Sequence, residues 1–219
     1  MTWARFMLPS LLPDVNRLLY LDSDLAVLTD VSPVFEFDLE GAPTALVDSG
    51  GGTMRTSIER DLFDNLGFDM NHPYYNAGVM VMDLDAWRNG FADRGLAFAR
   101  QHGGSLGAAD QTAINYLMYG FKYKSIPAKY NIILYAADSF PEAFGTAARP
   151  ADGIYHFLGA PKPWDLFGEW VYRHGQLFED ALSKTALAGW KSYARPSISS
   201  IKTALRNSRS YVRAFRGRL

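Results

Sequence analysis

The sequence predicts an α/β fold, a mixed sheet flanked by helices, on three observations. Short apolar runs at 17–21, 44–47 and 78–82 each end at an aspartate, Asp22, Asp48 and Asp83. They are too brief for helices, and they read as continuous hydrophobic stretches, the pattern of strands buried on both faces. Helical patterns occupy 84–101, 110–119 and 164–188, with Gly103, Gly104 and Gly120 as stop signals. Alternation of this kind builds a sheet covered by helices. The 219 residues suffice for one full-sized domain with a sizeable core plus an appendage.

In chain order, a first segment ends at the proline pair Pro9 and Pro13, and the strand 17–21 then delivers Asp22-Ser23-Asp24 at its carboxyl end. After the strand 44–47, Ser49-Gly50-Gly51-Gly52-Thr53 reads as a flexible loop. It lacks the strand-to-helix G-x-G-x-x-G spacing, which argues against a dinucleotide fingerprint. Tyr75-Asn76-Ala77-Gly78 opens the third strand, and Ala109-Asp110-Gln111 opens a helix whose N-terminal amides and dipole favour nearby negative charge. A further apolar run from Ile154 carries His156 into a Gly/Pro loop with Lys162 six positions on. No internal repeat is present.

Composition narrows the function classes. Hydrophobic residues make up 48% and charged residues 21%, ordinary globular usage that argues against wholesale disorder or collagen-like architecture. With no cysteine, disulfide scaffolds, Cys-ligated zinc and thiol catalysis are excluded, and Asp, Glu and His remain as the strong metal ligands. The net charge of −1 conceals an asymmetry. All 23 acidic residues lie at or before Asp180 whereas nine of the 22 basic ones follow it, so the body carries −10 and the tail +9.

From Ile198 onward, Ile201, Leu205, Val212 and Phe215 recur at helical spacing, with Lys202, Arg206, Arg209, Arg213 and Arg216 on the flank. Such an amphipathic helix reads as attachment to an anionic membrane surface through residues 198–216. A helix docked on the acidic body is the alternative. Nucleic acid is not an expected partner, for want of any recognised binding fold. No apolar run approaches the ~18–20 residues of a membrane span, and the opening residues lack the plan of a signal peptide, so a soluble or peripheral protein is expected.

Asp22-Ser23-Asp24 places two carboxylates at the carboxyl edge of a strand, where open α/β sheets bind ligands. Two carboxylates so close repel unless a cation compensates, and a hard divalent ion carrying a diphosphate does so; a solvated turn with acidic caps is the plainer alternative. His156 is either a metal ligand or a satisfied structural histidine, Lys162 supplies a point charge suited to phosphate, and Gly159 lets backbone approach closely. A nitrogen ligand beside carboxylates favours Mn²⁺ mildly over Mg²⁺ or Ca²⁺. Asp110 is read as a helix N-cap or a site residue, and Asn76 as a turn residue or a site residue.

Read together, these segments resemble glycosyltransferase family eight, the group of glycogenin and the bacterial lipopolysaccharide galactosyl- and glucosyltransferases. The likeness covers most of residues 2–165. Thr2-Trp3-Ala4-Arg5 with 8–13 is similar to the segment leading to the family's metal motif, and Leu19-Tyr20-Leu21-Asp22-Ser23-Asp24 to its D-x-D strand. Tyr75-Asn76-Ala77-Gly78-Val79, with Asp83 and Trp87-Arg88, resembles the asparagine-glycine strand and following helix; Asp110-Gln111 and His156-x-x-Gly159-x-x-Lys162-Pro163-Trp164 resemble the remaining motifs.

The resemblance implies a GT-A-like, Rossmann-like catalytic domain over residues 1–188, followed by the tail 189–219. It implies that Asp22, Asp24 and His156 hold Mn²⁺, or Mg²⁺ in its place, which grips the diphosphate of a UDP-hexose. Gly159 and Lys162 would contact the phosphates. Arg5, Asp22, Asn76, Ala77, Gly78, Asp110 and Gln111 would surround the donor sugar, with Asp48 a further candidate. The family retains anomeric configuration without an agreed carboxylate nucleophile. Gln111 is its candidate on the relevant face, and an amide is a poor nucleophile. The favoured reading is therefore a same-face displacement in which a phosphate oxygen of departing UDP takes the acceptor proton, while Asp110 and Gln111 position the sugar.

The implied acceptor is a glycan or lipid-linked saccharide of bacterial lipopolysaccharide or surface-polysaccharide synthesis, met at the inner face of the cytoplasmic membrane. Family members carry a further stretch before the segment matched here, so the chain is expected to lack the N-terminal part of the nucleotide-binding domain, as a fragment or through a misassigned start. One alternative is an inactive or truncated membrane-associated partner of another transferase. The other is a phosphatase of the haloacid-dehalogenase type, which also places D-x-D after a strand but wants Thr or Val where Ala26 stands.

Overall fold

A computed structural model describes residues 3–48, 52–135, 152–166, 168, 175–191, 197–209 and 212. The chain divides into two compact units, residues 1–22 with 30–131, and residues 23–29 with 132–219. Its sheets are mixed and its helices flank them, in accord with the α/β expectation.

The first unit holds helix α1 (Ala4–Leu11), strand β1 (Arg17–Leu21) and the short helix α2 (Ser32–Phe35). Strand β3 (Thr44–Val47), helix α3 (Arg60–Asn65) and strand β4 (Val79–Asp83) follow, β2 (Leu25–Val27) belonging to the second unit. Four strands lie in the order β1-β4-β3-β5, β5 being Lys124–Ile126. β4 pairs antiparallel with β1, from Arg17 opposite Asp83 to Leu21 opposite Val79, and antiparallel with β3; β3 runs parallel to β5. Because β3 and β4 are the inner strands, all four residues of β3 and Val79 to Met82 of β4 are buried, which is why their sequences are unbroken apolar runs. β1 is an edge strand and only half-buried.

The helix expected over 84–101 is broken. α4 (Leu84–Ala86) passes into a wide turn (Trp87–Phe91), where Asn89 and Gly90 leave helical geometry, before α5 (Ala92–His102) resumes. Gly90 supplies the reason, taking φ 103°, a conformation side chains disfavour. The break lets Trp87 turn fully into the core, where its indole N–H donates to the Pro43 carbonyl at 3.1 Å. Arg88 meanwhile donates to the carbonyls of Pro9, Leu12 and Val15, tying α1 and its exit loop to the scaffold. Gly95 on α5 admits the Phe6 ring, with which a Cβ at this position would collide. Phe6 in turn packs at 5.3 Å on Trp87. Helix α6 (Asp110–Gly120) matches its expectation closely, and Ala113, Ile114, Leu117 and Met118 seal the core.

The second unit has its own sheet in the order β2-β7-β6, from Leu25–Val27, Ile154–Leu158 and Ile132–Tyr135. β7 pairs antiparallel with β2, His156 opposite Leu25, and parallel with β6. Helix α7 (Gly175–Leu182) brings Leu177 onto Ala26, Leu134, Tyr155 and Phe157. Of the helix expected over 164–188, residues 164–166 form turns and α7 supplies the regular part, while 167 and 169–174 lie outside the described residues. Helix α8 (Ile198–Arg206) begins where the tail helix is expected, capped by Ser197 Oγ, which accepts from the Ser200 N–H at 3.1 Å. Most of its expected extension to 216 lies outside the described residues.

Candidate functional site

In the first unit the site is built around Arg5. α1 aims this side chain inward, where it is only 5% exposed, a position a guanidinium tolerates only with partners for its charge and N–H groups. It has several. One Nη donates to the Ala77 carbonyl at 2.5 Å, the other lies 3.2 Å from Asp22 Oδ1, and Nε lies 2.6 Å from Asp110 Oδ2. The last contact is off the direction of the N–H bond, so it is an ion pair rather than a directed hydrogen bond. The guanidinium carbon also sits 4.4 Å over the Tyr20 ring.

Asp22 is fixed at the end of β1 by its own N–H, which donates to the Gly78 carbonyl at 2.8 Å, and by the Tyr20 hydroxyl, which donates to Oδ1 at 2.9 Å. Burial, reinforced by Asp22 and opposed by Arg5, pushes the Tyr20 hydroxyl up to about 12. Asp110 is the first residue of α6 rather than its cap. Ala109 holds the capping position at φ 49°, ψ −113°, a strained conformation for a residue with a Cβ, and this turns the Asp110 carboxylate toward Arg5. Burial pushes the Asp110 carboxyl above its ordinary range, against the pull of the Arg5 charge.

Gln111 is held as firmly. Its Oε1 accepts from Asn76 Nδ2 at 3.1 Å and from the Ala77 N–H at 3.2 Å, and its Nε2 donates to the Tyr74 hydroxyl at 3.4 Å. Asn76 is the turn residue the sequence allowed, and it also reaches the neighbouring helix. Its Oδ1 accepts from the Gly78 N–H two residues on, a turn, while its amide reaches Gln111. Arg5, Asp22, Asn76, Ala77, Gly78, Asp110 and Gln111, from four separated stretches of sequence, thus form one hydrogen-bonded group. Asp48 stands exposed at the end of β3, its N–H donating to the Ile126 carbonyl.

In the second unit Asp24 is the centre. The Phe157 N–H donates to its backbone carbonyl at 3.0 Å, which seats Asp24 beside β7. Its carboxylate has His156 Nε2 at 3.1 Å on one oxygen and Lys162 Nζ at 2.5 Å on the other. Burial alone would push this carboxyl up; the hydrogen bonds and charge of His156 and Lys162 outweigh it and hold it well below the ordinary carboxylate range. The His156 ring is fully buried. Lys162 also touches the Phe157 carbonyl, and its N–H is anchored by Asp165 Oδ2 at 2.7 Å. Gly159 turns the chain out of β7 at φ 75°, where a side chain would be strained. An ionised carboxylate and an imidazole nitrogen, with the Asp22 carboxylate two residues earlier in the sequence, are hard-oxygen and borderline-nitrogen donors, a set that fits Mn²⁺ or Mg²⁺.

Two supporting residues escape the sequence reading. Asn115 accepts from the Tyr75 N–H at 2.7 Å and donates to the Tyr75 and Gln111 carbonyls, locking the 75–78 turn against α6. Its signal was an amide on the apolar face of a helix, one turn after Gln111. Glu59 has no such signal, since Ile58-Glu59-Arg60-Asp61 reads as a solvated stretch. Yet it is 3% exposed and accepts from the Ala108 N–H, the Thr112 hydroxyl and the Tyr74 hydroxyl, at 2.5, 2.7 and 2.9 Å. Glu59 therefore fixes the entry to α6 and the Tyr74 partner of Gln111. Glu59→Ala strands three donors and is expected to lower stability by about 3 kcal/mol in denaturant unfolding, with Glu59→Gln in between because it keeps one acceptor. Equal midpoints for all three proteins would refute this role.

The family model described as glycosyl transferase family 8 matches residues 1–167. General stress protein A of Bacillus subtilis strain 168 is 24% identical over 208 residues, spanning 90% of this chain and 68% of its own length. Lipopolysaccharide 1,2-glucosyltransferase of Escherichia coli K12 is 25% identical over 182 residues, 81% of this chain and 51% of its own. The chain therefore spans about half of that relative. Among solved structures, the galactosyltransferase LgtC, in complex with donor and acceptor sugar analogs, superposes with a TM-score of 0.63 at 22% identity, covering 84% of this chain and 68% of that one. The glycosyltransferase GlyE of Streptococcus pneumoniae TIGR4 gives 0.56 at 22%, over 84% and 47%. At these identities the structural likeness speaks to the fold alone.

Proposed function

This chain belongs to glycosyl transferase family 8, and from that premise we propose that it is a retaining hexosyltransferase, moving galactose or glucose from a UDP-sugar to a glycan or lipid-linked saccharide. The observation that carries the reading is the group around Arg5. Two buried or half-buried carboxylates, a guanidinium and a clamped amide, drawn from separate motifs, are preorganised with little freedom left to lose, as a site for a hydroxyl-rich sugar requires. The glucosyltransferase among the sequence relatives supports a hexose donor.

In this reading Asp22, Asp24 and His156 hold Mn²⁺, whose chemistry when bound is to offset charge on the diphosphate leaving group. Lys162 is the protein's own cation for that charge. Leaving Asp24 for a phosphate exchanges one charge-assisted contact for another. Asp110 and Gln111 orient the sugar, and Asp110 supplies negative charge near the developing oxocarbenium centre. No carboxylate is required as nucleophile, because departing UDP accepts the proton of the incoming hydroxyl. Bacterial lipopolysaccharide or surface-polysaccharide synthesis is the setting we propose, with attachment to an anionic membrane face through the tail. α8 supports the attachment by exposing Ile198 and Leu205 beside Lys202 and Arg206. No helix among the described residues is long and apolar enough to cross a membrane.

The stereochemical claim is tested by incubating the chain with UDP-glucose or UDP-galactose and Mn²⁺, water serving as acceptor, and following the freed sugar by proton NMR before it mutarotates. The α-anomer of the α-linked donor is expected first. Early β-anomer contradicts retention.

A further inference from the structure

Within the Arg5 group, the amides of Asn76 and Gln111 stand in a line of hydrogen bonds that all run one way. At its head Asn131, wholly buried where the first unit ends, donates from Nδ2 to Asn76 Oδ1 at 2.9 Å. Asn76 Nδ2 donates to Gln111 Oε1, Gln111 Nε2 to the Tyr74 hydroxyl, and that hydroxyl to Glu59 Oε2. The direction is forced at both ends. The Glu59 carboxylate only accepts, so the Tyr74 proton points to it and the Tyr74 oxygen takes a proton from Gln111. Burial, with Glu59 alongside, pushes the Tyr74 hydroxyl up, which keeps that proton in place. Main-chain donors decide the rest. The Ala77 N–H points to Gln111 Oε1 and the Gly78 N–H to Asn76 Oδ1, so neither amide can exchange its oxygen and nitrogen without stranding a buried N–H.

An amide oxygen has two lone pairs and its nitrogen two protons. Both lone pairs of Gln111 Oε1 are taken, by Asn76 and Ala77, and both of Asn76 Oδ1, by Asn131 and Gly78. Each nitrogen donates one proton and keeps a second that has no partner among the described residues. Both residues are half-buried, so neither amide is sealed from a ligand. We infer that Asn131, Tyr74 and Glu59 are positioning residues that lock the two amides with their oxygens occupied, so that Gln111 meets the UDP-hexose as an N–H donor to one of its oxygens. Gln111 Oε1 is then open neither to attack the anomeric carbon nor to face its developing charge. An oxygen that already accepts two N–H groups has also lost the free electron pair that a nucleophile needs. The inference rests on the UDP-hexose reading of the site and adds the sign of the interaction that Gln111 makes there.

The test compares the full chain with Gln111→Glu, which keeps the shape and removes the N–H, in hydrolysis of UDP-glucose and UDP-galactose with Mn²⁺ across pH. Near neutrality the variant is expected to lose roughly 10²-fold in kcat/KM. Its ratio to wild type should then climb as pH falls toward about 5, because a protonated carboxyl donates an O–H where the amide gave an N–H. Asp110 next to it and Glu59 one hydroxyl away should raise the introduced carboxyl into that range. A variant as active as wild type overturns the proposal, since a contribution made through oxygen would be kept or improved by a carboxylate. So does a ratio that stays flat with pH, which is what a packing defect gives. The lock itself is read without substrate, by nitrogen-15 NMR of the side-chain amides. One Gln111 amide proton should exchange slowly with solvent and lose that protection in Tyr74→Phe, whereas equal, fast exchange of both protons in the wild type would overturn the lock. Wild-type inactivity toward both sugars with the protection pattern intact would overturn the donor reading and leave the lock standing, so the two failures are told apart.

Discussion

Asp24→Ala is expected to abolish Mn²⁺-dependent UDP binding and to cut UDP-hexose turnover by roughly 10³-fold while leaving the fold intact. The carboxylate is a candidate metal ligand whose two oxygens face His156 and Lys162 at 3.1 and 2.5 Å, and in the variant both partners lose the anion that positions them. The side chain is partly exposed, so the loss should fall on binding and rate rather than on folding. Asp24→Asn separates charge from shape: it keeps the volume, and the same loss is expected if charge is what matters. Because the carboxyl is held below its ordinary range, its contribution is fully present above about pH 4 and is lost only as pH falls through the lowered value. Acid sensitivity of binding near neutrality must therefore come from another group. Asp24→Ala protein that still binds UDP only with Mn²⁺ would remove this residue from the site.

Arg5→Met should be the most destabilising substitution in the site, by about 3–5 kcal/mol, because it leaves Asp110 buried and Asp22 half-buried without their cation. It also vacates the Ala77 carbonyl, which anchors the Asn76 turn. Much of that cost is the penalty of an unpaired buried charge, so it should shrink when Asp110 is neutralised in the same chain. The double variant Arg5→Met with Asp110→Asn is expected to be more stable than Arg5→Met alone, and a cycle of denaturant midpoints reads the coupling directly. Arg5→Lys should not rescue, since a single ammonium cannot span the Ala77 carbonyl and two carboxylates as a planar fork does. Strict additivity in the cycle would contradict the ion-pair account.

What was legible in the sequence was what periodicity and residue chemistry encode locally. β3 and β4 announced themselves because inner strands are buried on both faces, and α6 because its apolar positions and first acidic residue agree. The helix 84–101 misled because its periodicity continues through Asn89-Gly90 while the backbone does not, both residues leaving helical geometry and Gly90 taking a positive φ. The short strands β2, β5 and β6 carry three or four residues each, too few for a pattern. The motif residues were legible through family resemblance, and the structure adds why they serve one another: Arg5 needs Asp110 because both are buried, and Gln111 is clamped by the Asn76 turn. Glu59 was invisible because burial of a carboxylate depends on donors from Ala108, Thr112 and Tyr74, far away in the sequence. The phosphatase alternative falls with membership of glycosyl transferase family 8.

The central claim, a UDP-sugar site that depends on a divalent metal, is tested most directly by calorimetric titration of UDP into the full 219-residue chain with and without Mn²⁺. Heat of binding in the presence of Mn²⁺ that vanishes when the ion is withdrawn with chelator is the predicted result. UDP binding of equal strength with and without the metal, or none at all by a folded chain, would contradict it.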